Sequence, residues 1–114
     1  LLRLGRADEA AKHFEEAVKI MPEYAPAWNN LGNARQQGGR TNEARQHFRK
    51  AVELNPSYWQ AHYNLGNICL QQKRLDEARA EFQTVLRLQP DFQAARHALG
   101  KIETPEAGPA PPKP

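Results

Sequence analysis

The sequence predicts an all-α fold, an α-solenoid of antiparallel helix pairs, on three observations. A skeleton of residues returns every 34 positions. Leu31-Gly32 becomes Leu65-Gly66 and Leu99-Gly100, while Ala10, Ala44 and Ala78 share one register and Phe14, Phe48 and Phe82 another. Between these marks the apolar residues follow a helical period, as in Ala10, Phe14, Ala17 and Val18. Pro22, Pro56 and Pro90 then close each unit, and an aromatic residue (Tyr24, Tyr58, Phe92) follows each of them. A lone helix pair cannot bury its own face, so each unit leans on the next.

In order along the chain, residues 1–22 read as a partial first repeat, mainly its second helix. Leu1–Leu4 looks like the last turn of an earlier helix, ended at Gly5, which can adopt the left-handed conformation of a helix stop. Asp8-Glu9 then opens a helix with acids at its positive end, and Pro22 ends it. Residues 23–56 form a complete repeat. Glu23–Pro26 starts its first helix, since proline is tolerated in a first turn, and Ala27, Trp28, Leu31, Ala34 and Arg35 share one side. Gly38-Gly39 makes the turn, and Thr41-Asn42-Glu43 opens a second helix that runs to Asn55-Pro56.

Residues 57–90 form another complete repeat, with Ser57 as N-cap of a helix Trp59–Gln72 and Lys73-Arg74 in place of the glycine turn. Its second helix spans Asp76–Leu88. Residues 91–103 read as a C-terminal helix capped by Asp91, the first helix of an incomplete repeat. Residues 104–114 carry five prolines in eleven positions and form a proline-rich, disordered or polyproline-type tail. Gly32, Gly66 and Gly100 let the first helices approach their neighbours closely, with Ala44 and Ala78 as facing small side chains and Phe48 and Phe82 filling the adjoining space.

This pattern of an aromatic or leucine, then Leu-Gly, alanine, an aromatic, a small residue and a closing proline resembles the tetratricopeptide repeat family from Leu1 to about Glu103. The resemblance implies a right-handed superhelix whose first helices line a concave surface, and a protein-binding role. The stretch W-N-N-L-G-N is also similar to the repeat region of O-linked N-acetylglucosamine transferases, which carry asparagine at the positions of Asn30 and Asn64.

Bulk composition narrows the function. The net charge of +3 is mild, and basic residues alternate with acids, as Lys19 does with Glu15 and Glu16. No basic stripe marks a nucleic-acid partner, and no run approaches the length of a membrane span. One cysteine, Cys69, excludes an internal disulfide framework. Leu1 is not methionine, so the sequence is expected to be a piece of a larger scaffold protein.

No catalytic constellation appears, and the expectation is a non-enzyme without cofactor or metal. His13 and His47 share a register that holds Glu81 in the next unit, which reads as a surface position. A repeat apart, they are badly placed to share a metal, whose ligands sit about 2 Å from the ion. Cys69 lies at helical spacing from Leu65 and Ile68 and reads as a buried thiol. Glu9, Glu43 and Glu77 recur in helix first turns, where the helix dipole accounts for them.

The asparagines ask for more. Asn30, Asn33, Asn64 and Asn67 stand at matched positions in two helices, with Asn29 beside them, although asparagine is a mediocre helix former. A carboxamide offers one acceptor and two donors, which suits the backbone of an extended peptide. Idle consensus residues are the competing reading, favoured for Asn33 and Asn67, whereas ligand contact is favoured for Asn30 and Asn64. The expected concave, peptide-binding face comprises Asn29, Asn30, Asn33, Gln37, Gln60, Tyr63, Asn64, Asn67, Gln71, His97 and Lys101. In the third unit Ala98 and Lys101 replace the asparagines.

Family members that clamp the acidic C-terminal tails of chaperones use two asparagines with lysine and arginine. Asn33 and Asn64 match the former, but Asn29, Ala94 and Ala98 occupy the cationic positions, so that mode is not expected. The leading expectation is a module that binds an extended segment of a protein partner. The alternatives are self-association through exposed terminal helices, giving a homo-oligomer, and a substrate-recruiting region of a glycosyltransferase-like enzyme.

Overall fold

The computed structural model describes residues 2–103, with side chains from Gly5 to Ile102. The proline-rich tail expected over residues 104–114 lies outside the described residues. Six helices follow one another: α1 (Leu2–Ile20), α2 (Ala25–Gln37), α3 (Thr41–Leu54), α4 (Trp59–Gln71), α5 (Leu75–Leu88) and α6 (Gln93–Glu103). Each packs on the next in chain order, so contacts stay local and the array extends in one direction. Its extents are 56 × 32 × 20 Å with a radius of gyration of 15.7 Å, against about 13 Å for a compact domain of 100 residues.

Two kinds of turn alternate. Residues 38–40 and 72–74 join the helices of a pair, and the same position turns left-handed in both, Gly39 at φ 82° and Lys73 at φ 63°. Glycine takes this conformation freely, whereas for lysine it costs about 1–2 kcal/mol. The other turns carry the repeating prolines. Tyr24, Tyr58 and Phe92 each donate a backbone N–H to the carbonyl of Met21, Asn55 and Gln89, at 3.1, 3.0 and 3.1 Å. Proline occupies the second position of each turn, where its fixed φ belongs. The aromatic residue that ends the turn immediately precedes the helix.

This geometry corrects two expected caps. Tyr58, not Ser57, is the residue at the start of α4, and the Ser57 N–H is held in the turn by Asn55 Oδ1 at 3.1 Å. Likewise α6 begins at Gln93, two residues beyond Asp91. At the front of the chain, α1 runs through Gly5 and Asp8-Glu9 without a break. Glycine permits a helix stop but does not impose one, and its cost within a helix is about 1 kcal/mol.

Inside each pair the close approach is between glycine and a ring. A Cβ on Gly32 would stand 2.6 Å from Phe48, and one on Gly66 would stand 2.9 Å from Phe82. Both rings are fully buried. Ala44 and Ala78 are fully buried too, but the groups facing the glycines are the rings themselves. A Cβ on Gly100 would meet no atom within 4 Å among the described residues, so the close approach expected for its side is absent there. Around Phe48 and Phe82 a continuous core joins Leu65, Ile68, Cys69, Val85, Ala95 and Ile102.

Glycine at the same register is therefore required in one place and dispensable in another. Gly32→Ala is expected to lose about 1–3 kcal/mol, because a buried ring cannot yield. Gly100→Ala is expected to gain up to about 1 kcal/mol from helix propensity. Urea unfolding of the two variants measures both.

Candidate functional site

The first helices of the pairs, α2, α4 and α6, carry every residue of the expected binding face. Asn30, Asn33 and Gln37 form a stripe along α2, and Gln60, Asn64, Asn67 and Gln71 one along α4, each spaced three or four residues apart. Asn30, Gln37, Gln60, Gln71, His97 and Lys101 are exposed, and Asn33, Tyr63, Asn64 and Asn67 are half-buried. Neither α2 nor α4 contains an aspartate or glutamate. Most acids lie instead on α1, α3 and α5, for example Glu15, Glu43 and Glu81, with Glu23 and Asp91 in the proline turns and Glu103 at the end of α6. The stripes are amide-bearing and free of anions.

Asn29 behaves differently from its neighbours. It is only 6% exposed, and its Oδ1 accepts a hydrogen bond of 3.1 Å from Nδ2 of Asn64. It also hydrogen-bonds Tyr58, whose phenol is nevertheless held above its ordinary pKa, first by burial. Asn29 thus links α2 to α4 and to the turn entering α4. Tyr63 is similarly occupied, its ring packing edge-on against Phe82 and Phe92 with centroids 5.9 and 5.0 Å away. Of the two asparagines favoured for ligand contact, Asn30 is exposed, while Asn64 has one amide hydrogen directed to Asn29.

The opposite side of α2 lines a cleft. This cleft, of about 440 Å³, opens between α1, α2 and α3, floored by Val18, Leu31 and Trp28. Within it Arg35 pairs with Glu15 of α1 and, at 3.3 Å, with Glu43 of α3. His47, expected at the surface, is half-buried there against Trp28, with ring centroids 5.8 Å apart. Burial, and then the nearby Arg35, lower its pKa. Glu77 has a matching place one repeat on, pairing with Arg49 at 2.6 Å and Arg74 at 3.1 Å. These two glutamates are tied by arginines as well as favoured by the helix dipole.

Sequence reasoning passed over a third set. In these proline turns the carbonyl of the proline itself has no backbone partner, and a side chain supplies the donor. Trp28 Nε1 donates to Pro22 at 2.8 Å, His62 Nε2 lies 2.8 Å from the oxygen of Pro56, and Arg96 Nη2 donates to Pro90 at 3.0 Å. Three unlike residues do one task at one register. The only signal in the sequence is that each carries a ring or guanidinium N–H. Cys69 is fully buried, and burial raises its thiol pKa, so it does not offer a thiolate. Among the described residues no group of three or more His, Cys, Asp or Glu side chains is placed to hold a metal, and no helix is long and apolar enough to cross a membrane.

Comparison with known proteins agrees with this architecture. Two family models, both described as tetratricopeptide repeat, match residues 29–91 and 1–47. Among solved structures, the first such domain of Spaghetti, bound to the HSP90 peptide SRMEEVD, is 27% identical with a TM-score of 0.85, covering 91% of this chain and 82% of that one. The Arabidopsis OM64 domain is 23% identical (TM-score 0.83, covering 89% and 84%). The Yersinia enterocolitica secretion chaperone SycD, in complex with a peptide of the translocator YopD, is 17% identical (TM-score 0.81, covering 87% and 81%). No curated protein matches the chain significantly.

The geometry separates structural from exposed asparagine. Asn29→Ala is expected to cost about 1–3 kcal/mol, because the Asn64 amide and the Tyr58 hydroxyl lose a buried partner. Asn30→Ala is expected to stay within about 0.5 kcal/mol of the parent. Thermal melts of both variants test the distinction.

Proposed function

Because the chain belongs to the tetratricopeptide repeat family, a family of generally non-catalytic interaction modules, we propose that it binds an extended segment of a protein partner along the face of α2, α4 and α6. The single observation that carries this reading is the exposed amide stripe on helices that hold no acid. Amides donate to and accept from a peptide main chain without selecting a charge. The segment is therefore gripped by its backbone, with little demand on its side chains. Two relatives were solved with peptides, an HSP90 peptide on Spaghetti and a translocator peptide on SycD, which supports the same class of ligand here.

The acidic tail bound by the Spaghetti domain is a poor fit to this face. Asn29 is buried, Ala98 is buried and Ala94 offers no charge, so the three cationic positions of a carboxylate clamp are empty of cations. Part of the Asn64 donor capacity is already directed to Asn29. A peptide array probed with the chain tests both points. Binding is expected to neutral extended peptides, to be lost in an Asn30→Ala/Gln60→Ala/Gln71→Ala variant of unchanged helicity, and to be absent for SRMEEVD. Array binding that survives the triple substitution, or tight binding of SRMEEVD, would overturn the proposal.

Self-association keeps one observation in its favour. Ile20, Met21 and Tyr24 are exposed at the first proline turn, whereas Leu54 and Tyr58 at the equivalent positions of the next are half-buried. On α6 the residues Gln93, Arg96, His97 and Lys101 are exposed and polar. One apolar end and one polar end allow a two-copy pairing but not an open chain. Sedimentation equilibrium is then expected to show monomer and dimer only, and larger species would exclude this geometry.

A further inference from the structure

His62 is only 8% exposed on α4, and both of its ring nitrogens meet acceptors. Nδ1 lies 2.6 Å from Oε1 of Glu81 on α5, and Nε2 lies 2.8 Å from the carbonyl oxygen of Pro56. A carbonyl only accepts, as does an ionised carboxylate, whereas a neutral imidazole has a single N–H. With the proton on Nε2, the lone pair of Nδ1 faces the carboxylate. With it on Nδ1, the lone pair of Nε2 faces the carbonyl. Only the imidazolium donates to both.

We infer that His62 is a proton-dependent clamp, which as an imidazolium ties α4 both to α5 and to the proline turn that enters α4, and which on losing its proton drops one of the two ties. The equivalent donors Trp28 and Arg96 reach Pro22 and Pro90 with an indole and a guanidinium N–H. Among these three turns, that of Pro56 is latched by an imidazole. The turn also carries Tyr58, which bonds Asn29 and through it Asn64. Any consequence for ligand binding rests on the function proposed above, but the clamp itself does not.

The surrounding charges decide the direction. Burial is the largest influence on His62 and favours the neutral ring, as does Arg87 of α5. The hydrogen bonds to Glu81 and Pro56, together with the charge of Glu81, outweigh them and raise the pKa. From α3, Arg49 is engaged by Glu77 at 2.6 Å, and Lys50 lies over the Trp28 ring at 6.0 Å. Cys69, on the same helix, has its thiol pKa raised by burial.

A folded-state pKa raised above the unfolded value of about 6.5 gives stability that is fully present below that value. It is lost as pH climbs through the folded-state pKa. His47 acts oppositely: its lowered pKa stabilises the neutral ring, so its contribution is present above about pH 6.5 and lost as pH falls. Comparison of two chains that both keep His47 removes that effect.

The experiment is an NMR pH titration of the four histidines in the full chain, with thermal melts from about pH 6 to about pH 9 for the parent and Glu81→Gln. His62 is expected to titrate above the ordinary imidazole value, and the parent's melting temperature to fall as its proton leaves. In Glu81→Gln the fall should be shallower, since an amide can donate to Nδ1 of a neutral ring. Titration of His62 at or below the ordinary value, or identical pH slopes in the two chains, would sink the clamp. If the variant fails to fold, the titration of the parent decides alone. Peptide binding measured alongside separates the two proposals: a raised His62 titration with no peptide bound overturns the binding reading only.

Discussion

A phenylalanine ring resting on bare backbone holds each complete helix pair together, Phe48 on Gly32 and Phe82 on Gly66. The contact sets how closely the two helices cross, and that distance fixes the space available to everything around it. With the ring in place, Leu31 and Leu65 are nearly fully buried, Ala44 and Ala78 are completely so, and neighbouring pairs share one core. A larger residue at the glycine would separate the helices and reopen the joints between repeats, because a close-packed interior has no slack to absorb it. The turns follow from the same constraint. Three residues suffice to reverse the chain within a pair, and one of them must turn left-handed, which Gly39 does freely and Lys73 at a cost.

Between pairs the chain turns at a proline, and the proline leaves its carbonyl for a side chain to satisfy. That need is filled by indole, imidazole and guanidinium at successive repeats. The second partner of each donor changes with it: Trp28 stacks on His47, whereas His62 at the same register meets Glu81, which replaces His47. An aromatic contact in one repeat thus becomes an ionic one in the next without moving the helices. The exchange moves the imidazole from the second helix to the first, where it also holds the proline carbonyl, so chemistry varies where geometry does not.

Polar residues are divided by helix type. Acids lie mostly on the second helices, paired with arginines of those helices such as Arg49 and Arg79 or of the turns that enter them, Arg40 and Arg74, while the first helices α2 and α4 carry amides. Exposed ion pairs contribute little to stability, so their value is in keeping that side solvated and specific. The amide side is left electrically quiet, which suits a backbone ligand better than a charged motif. Asn29 shows the limit of the pattern, since its amide serves the joint between α2 and α4 instead of the solvent.

The period, the helices, the proline turns and the crossing glycines were legible in the sequence, because each is a local backbone requirement repeated in register. The exposed stripe of Asn30, Gln37, Gln60 and Gln71 was legible for the same reason, helical spacing alone placing those residues on one side. Where local signals were permissive the reading went astray: Gly5 could have ended a helix, and Ser57 and Asp91 could have capped one, but the surrounding chain did not require it. Only the tertiary structure decided which polar side chains are partners. His62 and Glu81 are 19 residues apart, and Asn29 and Asn64 are 35 apart. A pairing over such a separation depends on where two packed helices bring their faces, and neither helix carries that information by itself.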